Sequence, residues 1–147
     1  GRLHVVESIY GDPVYNRLMI AEEDTSDGKQ CVKVYDMQGN FTGKVLGAGL
    51  FRGQPEGIAL YAPDSMSGLW IFIDQGKMEN YFHLFDRESL SYAGSFHGPT
   101  TLNTDGIWLE QSPVTDRYPK GLFFALHNDG NVAAFDWAEV LNALSVD

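Results

Sequence analysis

The 147-residue sequence predicts an all-β fold of about three four-stranded β-propeller blades with a short C-terminal helix. Two markers that recur in step carry this expectation. Glu7, Glu56 and Asp105 each open an apolar stretch and are spaced 49 residues apart. Tyr35-Asp36, Phe85-Asp86 and Phe135-Asp136 each close one, at intervals of 50. Between the markers lie the apolar runs 18–21, 69–73 and 122–126, which read as middle strands. An all-β repeat of about 40–50 residues with four strands is the signature of a propeller blade. The three repeats run roughly over 7–53, 54–102 and 103–147 and form one partial propeller domain.

In chain order, the apolar run 3–6 precedes Glu7 and reads as a separate strand, and Gly11-Asp12-Pro13 marks a turn. A second strand is expected over 17–22, a polar turn over 24–28 and a third strand over 30–36. Gln38-Gly39-Asn40 is a hairpin turn leading to an outer strand over 41–46. In the second repeat, Ala62-Pro63-Asp64 and Gln75-Gly76-Lys77 are turns and 92–96 is the outer strand. The third repeat carries an insertion over 111–120, a turn at Asn128-Asp129-Gly130 and a strand over 132–136. Apolar residues at 137, 140, 141 and 144 then switch to a helical period, with Asp136 as N-cap. The last repeat therefore ends in a helix where the first two have an outer strand. Three blades are fewer than the usual four to eight, so a larger ring or a subunit contact is expected to cover the open faces.

A hydrophobic fraction of 44% places the chain among globular rather than disordered sequences. Net charge is −10, from 20 acidic and 10 basic side chains. That balance excludes nucleic acid and anionic membranes as partners, both of which call for clustered Lys and Arg. No apolar run approaches the ~20 residues of a membrane span. The single cysteine, Cys31, alternates with apolar neighbours and reads as a core thiol. Surplus carboxylates serve either solubility or a cation such as Ca²⁺.

The repeated acids decide more than the composition does. Each precedes the innermost strand of its blade, so Glu7, Glu56 and Asp105 should converge on one mouth of the central channel. Converging carboxylates repel one another unless a cation neutralises them, and calcium prefers several carboxylate oxygens. Glu22-Glu23-Asp24, at the end of a middle strand, would add ligands at the same rim. Alternatively, each acid accepts hydrogen bonds from turn N–H groups and fastens blade to blade. His4, His83, His97 and His127 share no metal-ligand spacing, and His83 reads as a satisfied sheet residue. Ser65, Ser89 and Ser95 show no partner in the sequence, and no nucleophile elbow, P-loop or dinucleotide fingerprint is present.

An ordered set of motifs carries a resemblance: Ile20-Ala21-Glu22-Glu23-Asp24, Pro55-Glu56-Gly57-Ile58, Gln75-Gly76 with Asn80-Tyr81, Phe85-Asp86-Arg87, Thr104-Asp105-Gly106-Ile107 and Pro119-Lys120-Gly121-Leu122-Phe123. In this order they resemble the C-terminal half of the β-propeller phytases, over nearly the whole chain. The resemblance implies half of a six-bladed ring and a calcium-dependent phosphohydrolase that releases phosphate from inositol hexakisphosphate or another phosphate ester when part of a full propeller, the isolated half being incomplete. It implies that Glu7, Glu23, Glu56 and Asp105 are calcium ligands, with Glu22 and Gln54 as further rim residues. It also implies an extracellular or periplasmic location. Two departures stand out: Gln54 replaces an Asp of the family pattern, and Glu7-Ser8 replaces Glu-Gly. The family's basic phosphate-gripping residues come largely from blades outside this sequence; of the basics present, Arg52 and Lys77 sit beside glycines in expected turns and could approach a rim. Two further readings remain, a non-catalytic calcium-stabilised scaffold and a calcium-dependent sugar lactonase. A homodimer completing six blades is expected, with residues 3–6 of one chain joining the last blade of the other.

Overall fold

The computed structural model describes residues 2–23 and 30–145, so the expected turn over 24–28 and Asp24 lie outside the described residues. Eleven strands form three antiparallel sheets. Blade 1 comprises β1 (Val6–Asp12), β2 (Arg17–Glu22), β3 (Cys31–Tyr35) and β4 (Phe41–Leu46), paired in that order. Blade 2 repeats the meander with β5 (Gln54–Tyr61), β6 (Leu69–Gln75), β7 (Tyr81–Asp86) and β8 (Tyr92–Phe96). Blade 3 has three strands, β9 (Ile107–Glu110), β10 (Leu122–His127) and β11 (Asn131–Asp136), followed by helix α1 (Trp137–Ala143). The blades stand side by side and do not close into a ring. The strand expected over 3–6 does not form. Val6 begins β1, and the preceding residue instead accepts a hydrogen bond, from the Glu23 N–H to the Val5 carbonyl at 3.0 Å.

Burial on both faces explains why β6 is apolar without a break over 69–73, before its buried polar end at Asp74 and Gln75, where the strands of blade edges alternate. All seven of its residues are buried. Trp70 and Phe72 face blade 1 and join Met19, Val32, Val34 and Phe51 in one core. Leu69, Ile71 and Ile73 face blade 3 and pack with Phe82, Leu109, Phe123 and the helix residues Trp137, Val140 and Leu141. Asp136 caps that helix, its side chain accepting from Ala138 N at 3.0 Å, so the helix seals the core where an outer strand would lie. Cys31 is buried, in keeping with a packed thiol.

The outer faces of the arc are open. On blade 3 the residues alternating with the core set, among them Trp108 (67% exposed), Leu126 and Val132, line a shallow apolar cleft of about 320 Å³. On blade 1, Ile9 and Val6 are likewise exposed. No helix among the described residues is long and apolar enough to cross a membrane.

Candidate metal centre

Two bulges aim the acids. The β1–β2 register breaks between Val6 and Ser8, which sets Glu7 apart from the ladder. The β5–β6 register breaks between Pro55 and Ile58, which does the same for Glu56 and Gly57. Bulges of this kind leave a residue unpaired and redirect its side chain. Because β5 packs against β1, β2 and β9, the openings of the three inner strands lie next to one another. Ser8 ties two of them together, its hydroxyl donating to the Glu56 carbonyl at 2.6 Å. Gly57 fits the third junction: a Cβ there would meet the Asp105 carbonyl oxygen at 3.1 Å and an Ile73 methyl at 2.8 Å.

Glu7, Glu23 and Glu56 each place a carboxylate oxygen within 4.8 Å of the other two. Glu56 is the buried member at 7% exposure. Burial, then the charges of Glu7, Glu23 and Asp105, pushes its carboxyl up to about 8. Glu23 is raised by its hydrogen bond to Glu7, by burial and by the Glu7 charge. Asp105 is raised by burial and then by its hydrogen bond to Asp129. None of the ion pairs among the described residues brings a Lys or Arg to these carboxylates. Hard oxygen donors that repel one another, with no described Lys or Arg paired to them, form the kind of donor set that suits an oxygen-seeking divalent ion.

Two amides complete the centre. Gln54 Nε2 donates to Glu23, and Gln75 Nε2 donates to Asp105. Gln54 and Gln75 are register partners on β5 and β6, so the rim of blade 2 reaches both neighbouring blades. Asp129, in a turn of blade 3 with φ of 52°, adds a carboxylate beside Asp105 that the sequence reading did not single out. Its signal was available: a Asn128-Asp129-Gly130 turn supplies left-handed backbone and a short acid at a blade tip. Glu22 points elsewhere. It is buried against Lys33 and also accepts from the His4 N–H, so its charge is already matched. Among the described residues, Glu7, Glu23 and Glu56 bond to one another and to the Gln54 amide rather than to turn N–H groups.

Arg52 and Lys77 each lie two residues beyond these paired glutamines and line one cleft of about 330 Å³ at the same end of blade 2. The Arg52 guanidinium stands 3.7 Å from Glu79, both side chains largely exposed, a spacing worth little in water. Asp74 fixes this segment by accepting from Arg52 N at 2.9 Å and Gly53 N at 2.7 Å. Gly53 admits no side chain, since a Cβ would lie 1.8 Å from the Gln75 carbonyl oxygen. His83 is satisfied as the sequence suggested, but its partners are Asp74 and Ser95, a serine for which the sequence showed none.

Blades whose inner strands turn their opening acids to one rim make this an all-β protein with an acidic cluster at the junction of its sheets. The chain belongs to the Phytase family, whose family model matches residues 4–140. A comparison with curated proteins returns no match.

Proposed function

We propose that this chain binds calcium through Glu7, Glu23 and Glu56 and serves the hydrolysis of phosphate monoesters, with inositol hexakisphosphate as substrate. The observation that carries the reading is the set of three carboxylates within 4.8 Å of one another, to which no ion pair among the described residues brings a Lys or Arg. Membership of the Phytase family supports the hydrolytic class. Calcium, when bound, would offset the charge of phosphate oxygens and acidify a coordinated water.

The chain's own residues do the rest. Glu56 sits deepest and gives up its proton on loading. Gln54 holds Glu23 through its amide and so fixes which oxygen faces the centre. Asp105 and Asp129 offer a second carboxylate pair on blade 3, oriented by Gln75. Arg52 and Lys77 are the cationic groups at this end of blade 2, suited to outlying phosphates of a many-charged substrate. An extracellular or periplasmic setting, where calcium is plentiful, fits this chemistry.

Phosphate release from inositol hexakisphosphate, measured with calcium and with a chelator, tests the reading. Calcium-dependent release is expected, and its absence at saturating calcium, from a protein that calcium measurably stabilises, would support the scaffold reading instead. That second reading has an observation of its own, since the neutral Gln54 amide stands against Glu23 where another carboxylate would strengthen the site.

We further propose that two chains pair through their open blade faces. The exposed Trp108, Leu126 and Val132 on blade 3 and Ile9 on blade 1 support it, being apolar surface that water disfavours. Sedimentation at micromolar concentration is expected to give twice the 16.3 kDa chain mass, and a single-chain mass would rule pairing out.

A further inference from the structure

We propose that Asp74, His83 and Ser95 form a second reactive centre, a carboxylate–imidazole–hydroxyl relay that hydrolyses small carboxylic esters through an acyl-serine. The three residues lie on consecutive strands of blade 2 and share the face turned toward blade 1. His83 and Ser95 are direct register partners on β7 and β8. Asp74 Oδ2 is 3.1 Å from His83 Nε2, and His83 Nδ1 is 2.5 Å from Ser95 Oγ.

The partners set the direction of each bond. An ionised Asp74 only accepts, and it already takes the N–H groups of Arg52 and Gly53, so Nε2 of a neutral imidazole carries the ring proton. Nδ1 is then the bare base, and it faces the serine hydroxyl. The Tyr92 hydroxyl, 2.7 Å from Ser95 Oγ, supplies a second bond that fixes where the oxygen points. Phe51 lies edge-on to the imidazole with ring centroids 5.2 Å apart and prevents it from turning. Nucleophile, base and orienting carboxylate in this sequence of contacts are what nucleophilic catalysis requires, whatever the fold.

A fastener alone would be sealed, and this relay is not. Ser95 and His83 line a cleft of about 280 Å³ with Arg52, Leu50 and Tyr81. That size suits a short acyl chain on an aromatic or small alcohol. In the reaction, Ser95 Oγ bonds to the acyl carbon while its proton passes to His83 Nδ1. The bond from that carbon to the alcohol oxygen breaks, and the departing alkoxide takes the proton. Water then repeats the transfer through His83 and releases the carboxylate. Arg52 is the cationic wall of the cleft, available to the oxygen on which charge develops.

The test uses the whole chain in a chelator, which removes the acidic centre from the result. A fluorophosphonate probe is expected to give one adduct, on Ser95, with loss of fluoride, and p-nitrophenyl acetate to be hydrolysed. Ser95→Ala is expected to lose the adduct and about 100-fold or more of the hydrolysis while remaining folded. His83→Ala is expected to lose hydrolysis and to regain it with added imidazole, a recovery that a purely structural histidine would not show. Absence of an adduct on the folded chain, an adduct at another residue, or hydrolysis unchanged in Ser95→Ala overturns the proposal and leaves the relay as a strap holding residues 47–53 to blade 2.

Discussion

Glu56→Gln is expected to abolish the calcium-dependent rise in melting temperature at pH 8. A ligand at about 100 times its dissociation constant stabilises the folded state by about 2.7 kcal/mol, which for a domain of this size is roughly 5–10 °C. Removing the buried carboxylate takes away the proposed ligand whose surroundings most favour neutralisation. The same substitution should change the pH dependence of the metal-free protein, and in a defined direction. Glu56 titrates near 8 when folded, above the ordinary carboxyl value of 4.5, because burial and then the charges of Glu7, Glu23 and Asp105 disfavour its anion. A raised folded pKa means that the stabilising contribution is complete below 4.5 and is lost as pH climbs through about 8. Glu23 and Asp105 are displaced the same way and add to the slope. In chelator, wild type should therefore melt at progressively lower temperature from pH 5 to pH 9, and Glu56→Gln, neutral throughout, should show a shallower fall. Calcium competes with these protons and should bind more tightly as pH rises. Melting curves across this range with and without calcium decide the matter. A calcium shift in Glu56→Gln equal to that of wild type would remove Glu56 from the site.

The fold was legible because its signals are periodic. Repeated acids and aromatic-Asp pairs mark each blade's first and third strands, and a switch to helical spacing after Asp136 marks where the fourth strand of blade 3 gives way to α1. The run 3–6 misled because apolar composition alone says nothing of a pairing partner. Val6 is claimed by the β1 ladder, and before it the chain makes single bonds to Glu22 and Glu23 at the end of β2 but no strand ladder among the described residues.

The candidate site was legible where the repeat marks it. Glu7, Glu56 and Asp105 recur at fixed spacing, and Glu23 came with a motif. Glu22 and Glu23 are adjacent, however, and only the pleat decides which side each takes: Glu22 meets Lys33 and Glu23 meets Glu7. What could not be read are contacts that cross between blades or strands without a repeated motif. Ser8 to Glu56 and Gln54 to Glu23 join blades 1 and 2, and Asp129 to Asp105 joins the β10–β11 turn to the opening of β9 within blade 3. The His83–Ser95 pair is a cross-strand register match, fixed by the irregularity between Leu84 and Phe85 that no local pattern announces.

Arg87 belonged to a recognised motif whose role the sequence left open, and the structure makes it a buried ionic link between blades 1 and 2. Its Nε and Nη2 donate to the two carboxylate oxygens of Asp12, each at 2.9 Å, and both side chains are buried. A further N–H reaches the Ser67 carbonyl at 3.2 Å, while Arg17 donates to the Arg87 carbonyl at 2.6 Å. Removing one partner of such a pair leaves the other charged and dry, at a cost of about 3–5 kcal/mol. Arg87→Ala is therefore expected to lower the melting temperature by roughly 10 °C or more. The pair sits where β1 ends, and Glu7 sits where it begins, so calcium affinity of the folded fraction should be unchanged. Burial pulls the Asp12 carboxyl upward, but the hydrogen bonds and charge of Arg87 outweigh it and hold it below its ordinary range. A depressed folded pKa contributes stability that is present above the ordinary carboxyl value and is lost as pH falls through the folded one. The pair thus weakens on acidification, opposite in sign to the acidic centre, which weakens as pH rises. Replacing both residues together, Asp12→Leu with Arg87→Met, should recover much of the loss, because the penalty lies in the stranded charge rather than in the missing attraction. If Arg87→Ala melts within about 2 °C of wild type, the junction is held by its apolar core around Trp70 and Phe72, and the ion pair only sets the register of the two blades.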